Sequence, residues 1–199
     1  MNNSNYENKT ENGAKAKWAE LFEWFDIVAV ALICVVLVFS FVFKIVRISG
    51  DSMLETLHSN ELVILTDFSY EPKYGDIVVI SRNIENSAEK NQQSLEPIIK
   101  RVIATENQEV DLKDGRVYVD GKELSEDYLT YSYTAPHDVT FPQKVPAGHV
   151  FVLGDNRLSS HDSRSSNLGD DGMINTRYVL GHAVYRIFPL AGMGSLKNK

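Results

Sequence analysis

The chain has 199 residues, 43% of them apolar, enough for one ordinary domain with an appendage or for two small domains. A formal charge of −7 excludes the basic surface that nucleic acid requires, so no nucleic-acid partner is expected. The single cysteine, Cys34, excludes an internal disulfide framework, and the scattered histidines lack ligand spacing, so neither a metal nor a cofactor is expected.

Residues 1–20 are polar and asparagine-rich, and read as a disordered tail that cannot bury enough apolar surface to offset its ordering entropy. Residues 21–46 read as a transmembrane anchor helix. Ile27 to Phe43 carries no charge, Trp24 sits near one end, and Lys44 and Arg47 lie at the other. A bilayer core of about 30 Å needs about 20 apolar helical residues, and the extended block is long enough. It exceeds the apolar core of a secretory leader and is followed by no small-x-small site, so it reads as uncleaved. Lys9, Lys15 and Lys17 before the span lean towards a cytoplasmic N-terminus.

Residues 47–199 read as an antiparallel, mostly β domain outside the cytoplasm. Short β-rich runs at Leu62–Thr66, Ile77–Ile80, Ile98–Ile103, Arg116–Val119, His149–Leu153 and Ala183–Phe188 are separated by turns. Asp114-Gly115 and Asp120-Gly121 are tight-hairpin signals. Residues 83–96 and 128–146 read as exposed loops, and no long helical period follows the span.

Three clusters could carry chemistry. Ser49-Gly50-Asp51-Ser52-Met53 follows the span, and alone reads as an ordinary loop with a serine. Lys100-Arg101 interrupts the apolar run Ile98-Ile99…Val102-Ile103; a lysine facing a core is costly unless neutral or paired, although many such lysines only reach to the sheet edge. Gly154-Asp155-Asn156-Arg157, followed by Ser159-Ser160-His161-Asp162-Ser163-Arg164, is polar density after a strand, which a hydrogen-bonded turn also explains.

In this order, behind an apolar anchor, the three clusters resemble the type I signal peptidase family, and the compact body and Gly50 are similar to its Gram-positive type. The resemblance spans residues 21–199. It implies a membrane-bound serine endopeptidase that cuts signal peptides from secreted preproteins at Ala-x-Ala sites, with Ser52 as nucleophile and Lys100 as general base. Burial would supply the neutral lysine such a base requires. The resemblance further implies that Ser160 orients the lysine amine, that Asp162 and Arg164 form a shaping ion pair, and that Gly154, Asp155 and Asn156 form the supporting turn. Gly50 has no side-chain donor, which leaves the Ser52 N–H for the oxyanion. Substrate is expected to add as a strand between 45–48 and Pro97–Ile99, touching Gly50, Asp51, Pro97 and Ile98, with Ile48, Met53, Val79 and Ile99 as shallow apolar walls. Preprotein signal peptides, membrane lipid and the protein-export machinery are the implied partners. The chain departs from the family pattern at Glu55, where proline is usual, and at Ala104–Gln108, where a glycine turn is usual.

Two rival readings remain. A Ser-His-Asp hydrolase would pair Ser52 with His161 or His149 and an aspartate. A catalytically silent, membrane-tethered homologue would bind secreted subunits without cutting them, which the presence of both Ser52 and Lys100 argues against.

Overall fold

The structure, a computed structural model, describes residues 3–54, 56–67, 70–81 and 97–196. The expected loop at 83–96 lies outside the described residues, as does Glu55. Two compact units divide the chain at Val42/Phe43.

The first unit is helix α1, Asn3–Val42. It starts within the run expected to be a disordered tail. The Ala14-Lys15-Ala16-Lys17 stretch consists of strong helix formers, so local propensity extends the helix through polar sequence. Trp24, Phe25, Leu32, Ile33 and Val36 are all at least 58% exposed, so these side chains have no packed face within the unit. Among the described residues no helix is long and apolar enough to cross a membrane.

The helix also stops before the expected anchor boundary. Strand β1, Phe43–Arg47, takes over, because Phe43-Lys44-Ile45-Val46-Arg47 pairs antiparallel with β2, Leu62–Thr66, with Ile45 opposite Ile64. Its β-branched residues satisfy their backbone groups in a ladder rather than a helix.

The second unit, from Phe43 onward, is mostly antiparallel β. Chain order continues through β3 (Ile77–Ile80), β4 (Ile98–Thr105), β5 (Glu109–Lys113), β6 (Arg116–Val119), β7 (Lys122–Glu123), β8 (Gln143–Lys144), β9 (His149–Leu153), β10 (Ile174–Asn175), β11 (Val179–Phe188) and β12 (Gly194–Ser195). The larger sheet runs β1-β2-β11-β3-β4-β9-β10, with β12 beside β11; the smaller runs β7-β6-β5-β8. The hairpins between β5, β6 and β7 turn at Asp114-Gly115 and Asp120-Gly121. All four residues have positive φ, as tight two-residue turns demand.

Strand β3 shows why its sequence is apolar without alternation. Ile77 and Val79 pack in one core cluster with Leu57, Leu65 and Ile99, while Val78 and Ile80 pack in another with Val102, Val152 and Ile174. Both faces of the sheet are therefore buried here. A third cluster, with Ile103, Val110, Val117 and Phe151, joins the small sheet to β4 and β9. At 104–108 the turn forms without glycine: Asn107 takes φ 68, and the Gln108 side chain accepts the Thr105 N–H at 2.9 Å.

Candidate active site

Strand β4 carries Lys100 into the protein. Register pairs Lys100 with Val78 and Arg101 with Ile77, so the two basic side chains leave opposite faces of the sheet. Pairing between β4 and β9 begins only at Arg101, opposite Leu153. On that side Ile98, Ile99 and Lys100 have no partner strand among the described residues. Lys100 is 3% exposed, yet its amine donates to Ser52 Oγ at 2.7 Å and to the Ile99 carbonyl at 2.9 Å. An amine removed from water in this way needs those acceptors, since an unsatisfied one would cost several kcal/mol (about 2–7).

Ser52 sits in the loop after β1, where Gly50 turns at φ 83. The 154–164 segment clamps this loop. The Asn156 N–H donates to the Ser52 carbonyl at 3.0 Å and its side-chain amide donates to the Asp51 carbonyl at 3.1 Å. Asp155 accepts the Thr56 hydroxyl at 2.5 Å and a forked pair of bonds from Arg101 at 2.8 and 2.6 Å. One dipeptide thus ties the serine loop to the strand that carries the lysine. Arg101 also lies 3.9 Å over the Tyr128 ring. Burial works against its charge, but Asp155 outweighs burial and holds the guanidinium above its ordinary value. Burial also pushes the Tyr128 phenol well above its usual range, so the ring stays neutral.

A second buried pair sets the shape of the 154–164 segment. Arg164 grips Asp162 with two bonds of 2.8 Å, and the Gly154 N–H donates to the same carboxylate at 3.0 Å. Burial alone would raise the Asp162 carboxyl; Arg164 and the Gly154 N–H outweigh it and hold it below the usual carboxylate range. Gly154 has no room for a side chain, because a Cβ there would stand 2.1 Å from Ser160 Oγ and 2.5 Å from the Ser52 carbonyl. Ser160 is buried at this convergence of the loops.

An open cleft of about 310 Å³ runs past Ser52 and Lys100, lined by Gly50, Asp51, Pro97, Ile98 and Ile99 and also by Ser49, Ser159 and His161. Ile48, Met53 and Val79, expected on its walls, lie instead in the core cluster that holds Ile99 and Leu57, each 3% exposed or less. Val79 lies in β3, Ile48 and Met53 lie in the segment after β1, and of these expected wall residues only Ile99 belongs to both cluster and cleft. His149 lies away from this cleft, bonded to the Ala147 carbonyl and to Asp170. His161 Nε2 meets Asn167 at 2.7 Å, and the Asp162 oxygens are taken by Arg164 and Gly154. This geometry gives no support to a Ser-His-Asp arrangement.

The profile of the family described as signal peptidase, peptidase S26, matches residues 21–188. The chain belongs to this family. It is 31% identical to signal peptidase I T of Bacillus subtilis over 94% of this chain and 96% of that protein. It is 34% identical to a signal peptidase I of Bacillus licheniformis, over 90% and 95% of the two chains. A probable signal peptidase I-1 of Synechocystis is also 34% identical, over 90% and 88%. A solved signal peptidase I from Enterococcus faecalis aligns with a TM-score of 0.43 at 29% identity, over 57% of this chain and 97% of that one. Membership makes the chain an enzyme, a peptidase of the signal peptidase I type.

For this peptidase, Thr56, Arg101 and Arg157 have roles around the site that the sequence clusters did not reveal. Thr56 and Arg101 complete the Asp155 clamp. Arg157 is buried, bonded to Glu126 at 2.5 and 3.0 Å, to Thr134 at 2.6 Å and to the Gly154 carbonyl at 3.0 Å. The available signal was an arginine within a glycine-bearing cluster, but Thr134 lies 23 residues earlier in the run 128–146, read only as loop, and Glu126 lies 31 residues earlier, before that run.

Proposed function

We propose that this peptidase removes signal peptides from secreted preproteins through a serine–lysine dyad. The observation that carries this reading is the 2.7 Å hydrogen bond from buried Lys100 Nζ to Ser52 Oγ. Removal from water disfavours an ammonium, which suits Lys100 to act as a neutral base at moderate pH. Ser52 Oγ attacks the scissile carbonyl while Lys100 takes its proton. The oxyanion is met by the Ser52 backbone N–H. Lys100 then returns the proton to the departing amine, and a water molecule activated by the same amine hydrolyses the acyl-enzyme. The Asp162–Arg164 pair holds the loop that carries Ser160, whose buried Oγ has no hydrogen-bond partner among the described residues and is available to orient the lysine.

Substrate adds along the unpaired side of Ile98–Lys100, with Pro97, which has no N–H to donate, at the entrance. The apolar lining beside Ser52 is limited to Pro97, Ile98 and Ile99, which suits alanine-sized side chains on either side of a variable residue. Helix α1 anchors the enzyme as a single span with a cytoplasmic N-terminus and the β unit outside. The support is its ring of exposed apolar side chains and the charge-free run from Ile27 to Phe43. The exposed Phe188, Leu190 and Met193 are a further contact for membrane lipid. Delivery of substrate by the export machinery fits this placement.

The test is to incubate the detergent-solubilised enzyme with a preprotein bearing one Ala-x-Ala site and to sequence the product termini. Cleavage after the second alanine is expected, with a loss of about five- to 150-fold when that alanine becomes leucine, since an overfilled shallow pocket costs about 1–3 kcal/mol. Uncut preprotein from folded enzyme would favour the silent binding homologue.

A further inference from the structure

The cleft holds a charged group that the dyad does not use. Asp51 precedes Ser52, lines the same cleft and is exposed. Its backbone is fixed: the carbonyl accepts the Asn156 amide at 3.1 Å and the Leu54 N–H at 3.2 Å. Among the described residues, nothing bonds to or pairs with its carboxylate. The other formally charged residue of the lining is Lys100, whose amine is engaged with Ser52 and the Ile99 carbonyl. An extended peptide lying in the cleft displaces water from the Asp51 carboxylate. That loss is costly unless the peptide brings a cation, and costlier if it brings a second carboxylate.

We propose that Asp51 sets the charge specificity of the enzyme. It favours substrates with a lysine or arginine within two residues of the scissile bond and disfavours those with an acidic residue there. This rests on the reading of Ser52 and Lys100 given above and adds a charge requirement to the small-residue requirement.

The experiment uses the full chain in detergent and peptides sharing one Ala-x-Ala site. Lysine, glutamine or glutamate is placed in turn between the alanines and at the first and second residues after the cut. The readout is the lysine-to-glutamate ratio of kcat/KM. Ionisation of the base is common to both peptides and cancels in this ratio. An exposed charge pair predicts a ratio of about two- to tenfold in at least one position at low salt. The ratio should fall towards one in Asp51→Asn, and in the unmodified enzyme at 1 M salt, where screening acts over about 3 Å. No preference at any position, or a preference undiminished in Asp51→Asn, overturns the proposal. Failure to cut the uncharged glutamine peptides overturns the dyad reading itself and the charge proposal with it.

Discussion

Lys100 meets Ser52 because Asp155 and Asn156 hold both of their segments. The Asp155 bonds of this clamp are buried or partly buried, so their loss is felt in full. Asp155→Ala leaves the Arg101 guanidinium, 3% exposed, without its carboxylate partner and should cost about 3–5 kcal/mol of unfolding free energy, measured by denaturant titration. The Asp162–Arg164 pair gives a prediction in pH. The Asp162 carboxyl lies below its unfolded value in the native protein. It therefore stabilises the fold above about pH 3.9, and this contribution is lost as pH falls through the folded value. Arg164→Met removes the cation and leaves burial to dominate, which raises the carboxyl instead. Its loss of stability should then set in as pH rises rather than as it falls. Unfolding midpoints of both proteins between pH 3 and 8 measure this, and parallel profiles would contradict it.

At the scale of elements, the turn from β9 into the 154–164 segment has no space for a methyl group. Gly154→Ala should push the Ser52 carbonyl or Ser160 aside and lower kcat about a hundredfold, the usual effect of misplacing a reacting group by about 1 Å. Near-normal kcat would mean that the loops relax freely. Strands β2, β3, β6 and β9 were legible because their β-branched runs end in glycine, aspartate or proline. Strand β1 was not, because Phe43–Arg47 continues the apolar helix run and only its pairing with β2 marks the change. β5 was hidden by the charged residues of Glu-Val-Asp-Leu-Lys, whose alternation is clear only once β6 lies beside it. At the site, Ser52, Lys100 and the Asp162–Arg164 pair could be named only from the ordered set of three clusters and the family it resembles. The Arg157–Glu126 pair could not, because nothing local links two segments joined only by folding.

For the whole molecule, the chain combines a helix with exposed apolar side chains between Phe22 and Phe39 and a β unit with three core clusters. The proposed anchor predicts that the full chain stays with membranes after an alkaline carbonate wash. Two lysines, at Ile33 and Val36, each cost about 2.5–3.5 kcal/mol at a helix centre on insertion scales and should move the protein to the supernatant. Full retention of that double variant would contradict a span through this region. The central claim is that Lys100, and no histidine, activates Ser52. The decisive measurement is preprotein cleavage from mildly acidic to alkaline pH by the unmodified enzyme, Ser52→Ala, Lys100→Ala and His161→Ala. The dyad predicts a rate that climbs with pH as an amine loses its proton, losses of roughly ten-thousandfold or more in the first two variants, and substantial activity in the third. Activity that survives Lys100→Ala and disappears in His161→Ala would contradict it.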